Sequence, residues 1–487
     1  MIDFSSIEKY RENNRIEAKL ALGGLPKSIW ETYSAFANTL GGIILLGVEE
    51  YRDHSLHPVD LPNPESLVEE FWNLVNDPKK VSVNILTRNN IAIELAEGKR
   101  IIVITVPRAM RYDKPVYIDG NSMTGSYRRS GEGDYRCSAD DVESMLRDSK
   151  IHTQDMRVIE QAELDVLDYS SIASYRRKMK YIRPGHTWEE LDDINFLYKL
   201  GAVGRGINGK FKPTAAGLLM FGSVNEIKKE FPNYLLEYCV EADDRSICSI
   251  SSNAGQWSGN VYDFYFMVCR HLEKDLLPIC QNSDYNADTL IGAMREALIN
   301  SIVNADYYEE GGIIIVKKAD ELSISNPGSF RIDISDAKSG GVSDPRNAGL
   351  MKMFALINIS SRSGSGIPSI FKLWSELKLK EPVITESFAP ERITLSLFIK
   401  KDGELDIKAS GKKTVSKINS ANVAVNLAGK QLIIDYLTDN VTAKEVELAY
   451  FLGIDNKAIR TYLDELIKNN IVVTEGNGKN RIYKLKA

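Results

Sequence analysis

Hydrophobic and polar positions along the chain change period at identifiable points, and those changes divide it into elements. In LPKSIWETYSAFANTLGG, Ile29, Tyr33, Phe36, Ala37 and Leu40 share one face at helical spacing, Pro26 suits a first turn, and Gly41 and Gly42 end the run. The apolar stretch Ile43 to Val48 then predicts a buried strand that opens onto Glu49 and Glu50. IAIELA and RIIVITVP, joined by the short EGK, predict a hairpin, and PVYIDG and GSYRR extend the sheet. Ser138 is placed to cap a helix running to about Asp148. Residues 1–150 thus read as an α+β unit, followed over 151–182 by a charged helical connector.

HTWEELDDINFLYKLGAV and KPTAAGLLMFG predict two short helices around a turn, with the proportions of a winged-helix insertion within 151–227. GRGINGK, residues 204–210, matches GxxxxGK, but Phe211 stands where a P-loop needs Ser or Thr. A helix–turn–helix context also lacks the strand and helix that aim backbone amides at phosphate, so a P-loop is excluded there. Residues 228–402 open with strands YLLEYCVEA and SICSISS and a helix from about 260 to 278. A second helix, TLIGAMREALINSIVNADYY, sets Glu296, Asn300 and Asn304 four residues apart on one face. The hairpin GGIIIVKKADELSISNPGSF follows, holding Asn326 and Gly328. GGVSDPRNAGL carries Arg346 and Asn347, SSRSGSGIPSIF carries Gly364 and Gly366, and each precedes a helix start. Amide dipoles at such starts attract phosphate, which favours nucleotide binding over plain turn chemistry.

Residues 403–426 are polar and lysine-rich, a linker by composition. From 427 to 487, three helical segments and IVVTEGNGKNRIYKL read as a winged helix-turn-helix, with Gly476 and Gly478 at the wing tip. Lys457, Arg460 and Thr461 fall on the recognition helix, Lys479 and Arg481 on the wing; a winged helix that contacts protein is the alternative. The fold class is therefore α+β multidomain, an α/β domain, a winged-helix insertion, an α/β sandwich and a C-terminal winged helix-turn-helix.

Composition narrows the class further. At 487 residues the chain needs three or four cores, and 43% hydrophobic with 26% charged residues is ordinary for a globular protein. No apolar run reaches the roughly 18 residues of a membrane span, and MIDFSSIEKY lacks an apolar signal core, so no membrane partner and a cytoplasmic location are expected. Five scattered cysteines without a CxxC pair read as reduced thiols. Net charge is −6, yet 411–487 holds 12 basic against 8 acidic residues, four positive. VPRAMRYDKPVY and YRRSGEGDYR concentrate Arg108, Arg111, Lys114, Arg128, Arg129 and Arg136 among tyrosines, a pattern that suits phosphate contact and base stacking or a solvated face.

RENNRIEAK sets Glu12 and Glu17 five residues apart. In one strand or one helix that interval separates them. They converge only if the chain turns between them, and Asn13 and Asn14 supply a turn.

ENNRIEAK, SAFANTLGGIILLGVEE and YRRSGEGDYR together resemble the Schlafen-type AlbA_2 domain, and REALINSIVNADYY with ISNPGSF, RNAGLMKMF and SGSGI resembles the GHKL-like ATP-binding domain of RecG-related proteins. The resemblance, with its winged insertion, spans roughly residues 10–400. It implies that Glu12, Glu17 and Glu49 or Glu50 form a three-carboxylate site for Mg²⁺ or Mn²⁺. Lys19, like the arginines, is a candidate nucleic-acid contact. Relatives carry Asp after GV, where this chain has Glu49. In the second domain the resemblance assigns Glu296 to orient or deprotonate water and Asn300 to hold Mg²⁺. Relatives place Glu near Ser361 and Asp at Asn326, and these departures point to ATP binding rather than turnover. Two functions are implied. One is a nucleic-acid-binding regulator, transcriptional or of stress or phage defence, in which ATP biases conformation or homo-oligomer state. The other is a metal-dependent endoribonuclease acting on RNA such as transfer RNA.

Overall fold

The computed structural model describes residues 4–242, 245–281, 287–359, 364–388 and 390–399, and parts of 433–486. Met1–Asp168 with Leu191–Gly403 form one compact unit, and Tyr169–Glu190 with Glu404–Ala487 a second.

The first unit contains two main sheets. The N-terminal one runs Ile16–Lys19, Gly42–Leu46, Lys99–Val106, Ile91–Ala96 in space, the first pair parallel and the others antiparallel. The helix Ile29–Asn38 covers it, with Trp30, Tyr33 and Phe36 packed on Ile44, Leu46, Ile102 and Ile104. Gly41 ends that helix at φ +73°, and a Cβ there would lie 2.7 Å from the Val106 carbonyl oxygen, so only glycine fits. The hairpin turn is made by Glu97 and Gly98, both at positive φ.

Two expectations for this region change. The apolar run from Ile43 breaks at Gly47, φ +81°, so Gly42–Leu46 is followed by a separate strand, Val48–Glu50, paired with Leu56–Pro58. Tyr127–Ser130 does not extend the sheet; it pairs with Gly133–Arg136 as its own hairpin. The buried Asn38 side chain explains this, because its amide donates to the carbonyl oxygens of Val116 and Tyr127 and accepts from the Val116 N–H, tying both segments to the helix end. Ser138 caps Ala139–Asp148 in a capping box with Asp141.

The second sheet has six strands in the order Arg245–Ser251, Leu236–Ala242, Ile313–Lys317, Glu321–Pro327, Glu391–Phe398, Val383–Phe388. Only Leu236–Ala242 with Ile313–Lys317 is parallel. The helices Val261–Gln281 and Ala287–Asn304 lie against it. Cys239 and Cys248 face each other across the first two strands and are joined in a disulfide, which corrects the expectation of reduced thiols; the register, not the sequence spacing, brings them together. Cys137 and Cys269 are free and buried. The insertion also differs: between the helices Asp193–Leu200 and Ala215–Phe221 the chain forms a hairpin, Val203–Arg205 with Phe211–Pro213. GRGINGK is its tip, and Arg205 stacks 4.7 Å from the Phe211 ring centre.

In the second unit the described residues include the helices Tyr169–Ile182 and Asn456–Lys468 and a sheet ordered Ala443–Lys444, Ile482–Leu485, Val472–Glu475. Ile433, Leu437, Leu448, Ile459, Leu463, Leu466 and Tyr483 form its core. Ala443 and Lys444 are strand rather than the expected helix start, since they pair with Tyr483 and Ile482. The linker 403–426, Lys479 and the side chain of Lys457 lie outside the described residues. Among the described residues no helix is long and apolar enough to cross a membrane.

Candidate nucleotide cleft and basic junction

The helix Ala287–Asn304 presents Glu296, Asn300 and Asn304 at one-turn intervals to a cleft of about 120 Å³. Ile324, Asn326, Ile393 and Leu395 from two central strands form its floor, and segments 329–332 and 342–346 with Gly364 and Gly366 form its rim. Seven of the residues singled out from sequence therefore converge: Glu296, Asn300, Asn304, Asn326, Arg346, Gly364 and Gly366. Burial raises the Glu296 carboxyl above its ordinary range. The Asn300 Nδ2 is buried and has no hydrogen-bond partner among the described residues, a state that costs free energy until an acceptor arrives. Gly366 opens the helix Gly366–Glu376, and a Cβ there would lie 2.2 Å from Glu296 Oε1 and 2.9 Å from Asn300 Nδ2. Only glycine lets this helix start approach the pair.

Three of the expected ligand residues act instead as braces. Asn347 does not line the cleft; its Nδ2 donates to the carbonyl oxygens of Val303 and Ala305 at 3.3 and 2.7 Å. Gly328, φ +94°, lies outside the cleft and leaves room for Arg346, whose Nη1 a Cβ would meet at 2.5 Å. Arg346 reaches the cleft wall but spends its donors on Asp148 (2.9 and 2.5 Å), Asn304 O (2.7 Å) and Ser329 O (3.0 Å). Burial alone would raise the Asp148 carboxyl, but Arg346, Arg331 and Arg111 hold it below the usual carboxylate range.

The acidic residues are placed as follows. Asn13 Oδ1 accepts from the Arg15 N–H, which makes the turn between Glu12 and Glu17. Glu12 accepts from the Ala18 N–H at 2.8 Å; burial raises its carboxyl, and the charges of Glu17 and Glu50 add to this. Glu17 is paired with Lys19 (2.7 Å) and Arg129 (2.8 Å), so Lys19 serves the carboxylate rather than open solvent. Glu50 pairs with His54, and Glu49 is exposed. Among the described residues the carboxylate oxygens of this set do not gather within 4.8 Å; the group that does is Glu237, Cys239 and Cys248, whose thiols are closed in the disulfide.

The expected open basic surface is corrected most of all. Arg108 grips Glu386 with both Nη atoms at 2.7 and 2.9 Å, Arg111 pairs with Asp344 at 2.5 Å, and Arg128 pairs with Asp141 and Glu391. Arg129 holds Glu17 and Asp134. Lys114 donates to the Asn38 carbonyl oxygen, and burial, reinforced by Arg108, lowers its ammonium to about 7. Glu386, Asp344 and Glu391 come from a segment more than two hundred residues downstream, so nothing in the local pattern announces them. The guanidinium groups of Arg108, Arg111 and Arg128 fasten the N-terminal sheet region to the cleft domain, while Arg129 ties together parts of the N-terminal region. In the second unit Arg460 is exposed and paired with Glu445, Thr461 is exposed on the same helix, and Arg481 is exposed.

Residues 12–138 match the family model for “Schlafen, AlbA_2”. The chain carries an AlbA_2 domain. Residues 311–395 match “Putative ATP-dependent DNA helicase recG C-terminal”, so a recG-type HATPase domain is present as well. That match takes in Asn326 and the glycine-bearing loops, while Glu296, Asn300 and Asn304 precede it. Residues 143–237, between the two, match a domain of unknown function, DUF8451. No curated protein matches the chain. Solved structures do, two of them as follows. The DIP2311 protein from Corynebacterium diphtheriae is 14% identical over 97% of this chain and 92% of that one, with a TM-score of 0.39. The N-terminal domain of “Putative ATP-dependent DNA Helicase RecG-related Protein” from Nitrosomonas europaea is 30% identical over 28% of this chain and 94% of that one, with a TM-score of 0.23. The AlbA_2 and ATPase-like domains associate the chain with nucleic acid and nucleotide.

Proposed function

We propose that this chain is a nucleic-acid-binding regulator that responds to ATP, with Glu296, Asn300 and Asn326 at the nucleotide site. The observation that carries the reading is the buried, unpaired amide of Asn300 in the cleft beside Glu296. A phosphate oxygen satisfies such a donor, and the side-chain oxygen of the same amide, with Glu296 close by, fits the hard-oxygen preference of Mg²⁺. Bound Mg²⁺ would neutralise phosphate charge; the chain's own part is to orient the phosphates at the Gly366 helix start and keep Glu296 dry. The cleft, about 120 Å³, is smaller than the roughly 300 Å³ at the low end of ligand sites, so its rim must part to admit a triphosphate. Arg460, Thr461 and Arg481 are the residues we assign to DNA contact in a C-terminal winged helix.

The test is thermal unfolding with and without Mg-ATP, for the wild type and Asn300→Ala. ATP at about one hundred times Kd stabilises by about 2.7 kcal/mol, which raises the wild-type Tm by several degrees and leaves the variant unmoved. Equal shifts, or none in the wild type, remove ATP from the account. A second reading, a metal-dependent endoribonuclease, draws on the mutual repulsion of Glu12, Glu17 and Glu50. Arg129 and Lys19 weaken it by neutralising Glu17. Transfer-RNA cleavage that Mn²⁺ supports and Glu17→Ala abolishes would restore it.

A further inference from the structure

A second, larger cavity of about 450 Å³ opens between the hairpin Tyr127–Ser130/Gly133–Arg136 and the end of the strand Val383–Phe388. We infer that it holds one unpaired nucleotide of a single-stranded nucleic acid, the phosphate on the arginine wall and the base against Tyr135. The inference rests on the nucleic-acid association proposed above and adds a location and a ligand class.

Four observations converge. The volume falls within the roughly 300–1,000 Å³ of ligand sites, so the cavity needs no opening. Its lining includes Arg128, Arg129 and Arg136; Arg128 is paired with Asp141 and Glu391 and Arg129 with Glu17 and Asp134, so Arg136 is the cation left for a ligand. Arg128 is only 8% exposed and its Nη atoms are engaged, but its Nε is buried and has no partner among the described residues. A fixed cation with a spare, dry donor is the arrangement that an incoming anionic oxygen completes. Arg136 is exposed and forms no ion pair among the described residues, so its charge is free to meet a phosphate.

The aromatic side is set up as well. Tyr135 is 61% exposed and lines the cavity, and a Cβ on Gly133 would strike its ring at 2.6 Å, so the ring lies over the glycine backbone. Leaving a tyrosine that open sacrifices burial, whereas base stacking on it recovers the lost contact. Stacking on a single ring requires a base that is not already stacked and paired, which excludes a duplex. RNA and DNA single strands share the phosphate and the π-face; the 2′-hydroxyl separates them.

The experiment is fluorescence anisotropy of end-labelled RNA and DNA oligomers of about ten nucleotides. It uses the full chain at about 50 mM salt, where phosphate contacts are strong, and compares wild type, Arg136→Glu and Tyr135→Ala. Both residues are exposed, and circular-dichroism melts check that the variants stay folded. Each variant is expected to weaken binding roughly tenfold or more. Arg136→Glu should also lower the slope of log K against log salt by about 0.7, the value of one single-strand contact. The better-bound oligomer identifies the natural source. If wild type binds and both variants bind as well, the cavity assignment is overturned while the proposed function stands. If wild type binds neither oligomer, the cavity assignment is overturned, and the proposed function is then decided separately by duplex DNA binding through Arg460, Thr461 and Arg481. If inorganic phosphate competes as well as AMP and Tyr135→Ala has no effect, the cavity is a phosphate site and the nucleotide assignment is overturned.

Discussion

Arg108→Ala separates a fastening role from a nucleic-acid role for the arginines of VPRAMRYDKPVY. Arg108 is 8% exposed and Glu386 1%, joined by two hydrogen bonds of 2.7 and 2.9 Å, and Arg108 also donates to the Phe330 carbonyl oxygen. Among the described residues, truncation leaves the buried Glu386 with a single remaining donor, the Phe330 N–H at 2.7 Å. Breaking a buried pair from one side costs about 3–5 kcal/mol, and the retained amide places this case near 3. By contrast, an exposed arginine is worth less than about 0.5 kcal/mol. Urea unfolding followed by tryptophan fluorescence and circular dichroism reads the difference as a lower midpoint for the transition of the first unit. The double variant Arg108→Met/Glu386→Gln keeps an acceptor for Phe330 and removes the stranded charge, so it should recover most of the loss. A loss below about 0.5 kcal/mol in Arg108→Ala, with weakened oligonucleotide binding by the folded protein, would refute the fastening role.

Gly366→Ala should abolish the Mg-ATP stabilisation while leaving the unliganded Tm within a few degrees, because the methyl group would intrude on Glu296 Oε1 and Asn300 Nδ2 rather than on the core. Calorimetric titration of nucleotide checks it, and wild-type affinity in the variant would exclude the Gly366 helix start from the site. The second concerns pH. Lys114 loses its proton near 7 in the folded chain and near 10.5 in the unfolded one, so between these values the unfolded state binds more protons and stability rises with pH. The slope contributed by Lys114 approaches about 1.4 kcal/mol per pH unit within that window, and Lys114→Met should remove it in urea midpoints taken across the range. An identical pH profile in the variant would refute the burial of that ammonium.

What the sequence discloses and what it hides follow from the range of the interactions. The helix Ala287–Asn304 is legible because its spacing is local: Glu296, Asn300 and Asn304 stand one turn apart whatever packs against them, and Gly366 announces a tight approach because no other residue tolerates one. The Tyr127–Ser130 hairpin is misplaced from sequence because the decision lies with Asn38, a polar side chain inside a helix that looks like one more turn toward Gly41. The arginines mislead for the same reason at longer range. A charge pattern shows where cations are but not which carboxylates fold onto them, and Glu386, Glu391 and Asp344 are isolated acids in segments of unrelated pattern. Within that set Arg136 alone retains a free charge, and it is also the arginine that follows the exposed Tyr135. The fold therefore converts a basic stretch of sequence into a fastening for the nucleotide domain and leaves its last member, beside an aromatic ring and a preformed cavity, for a ligand.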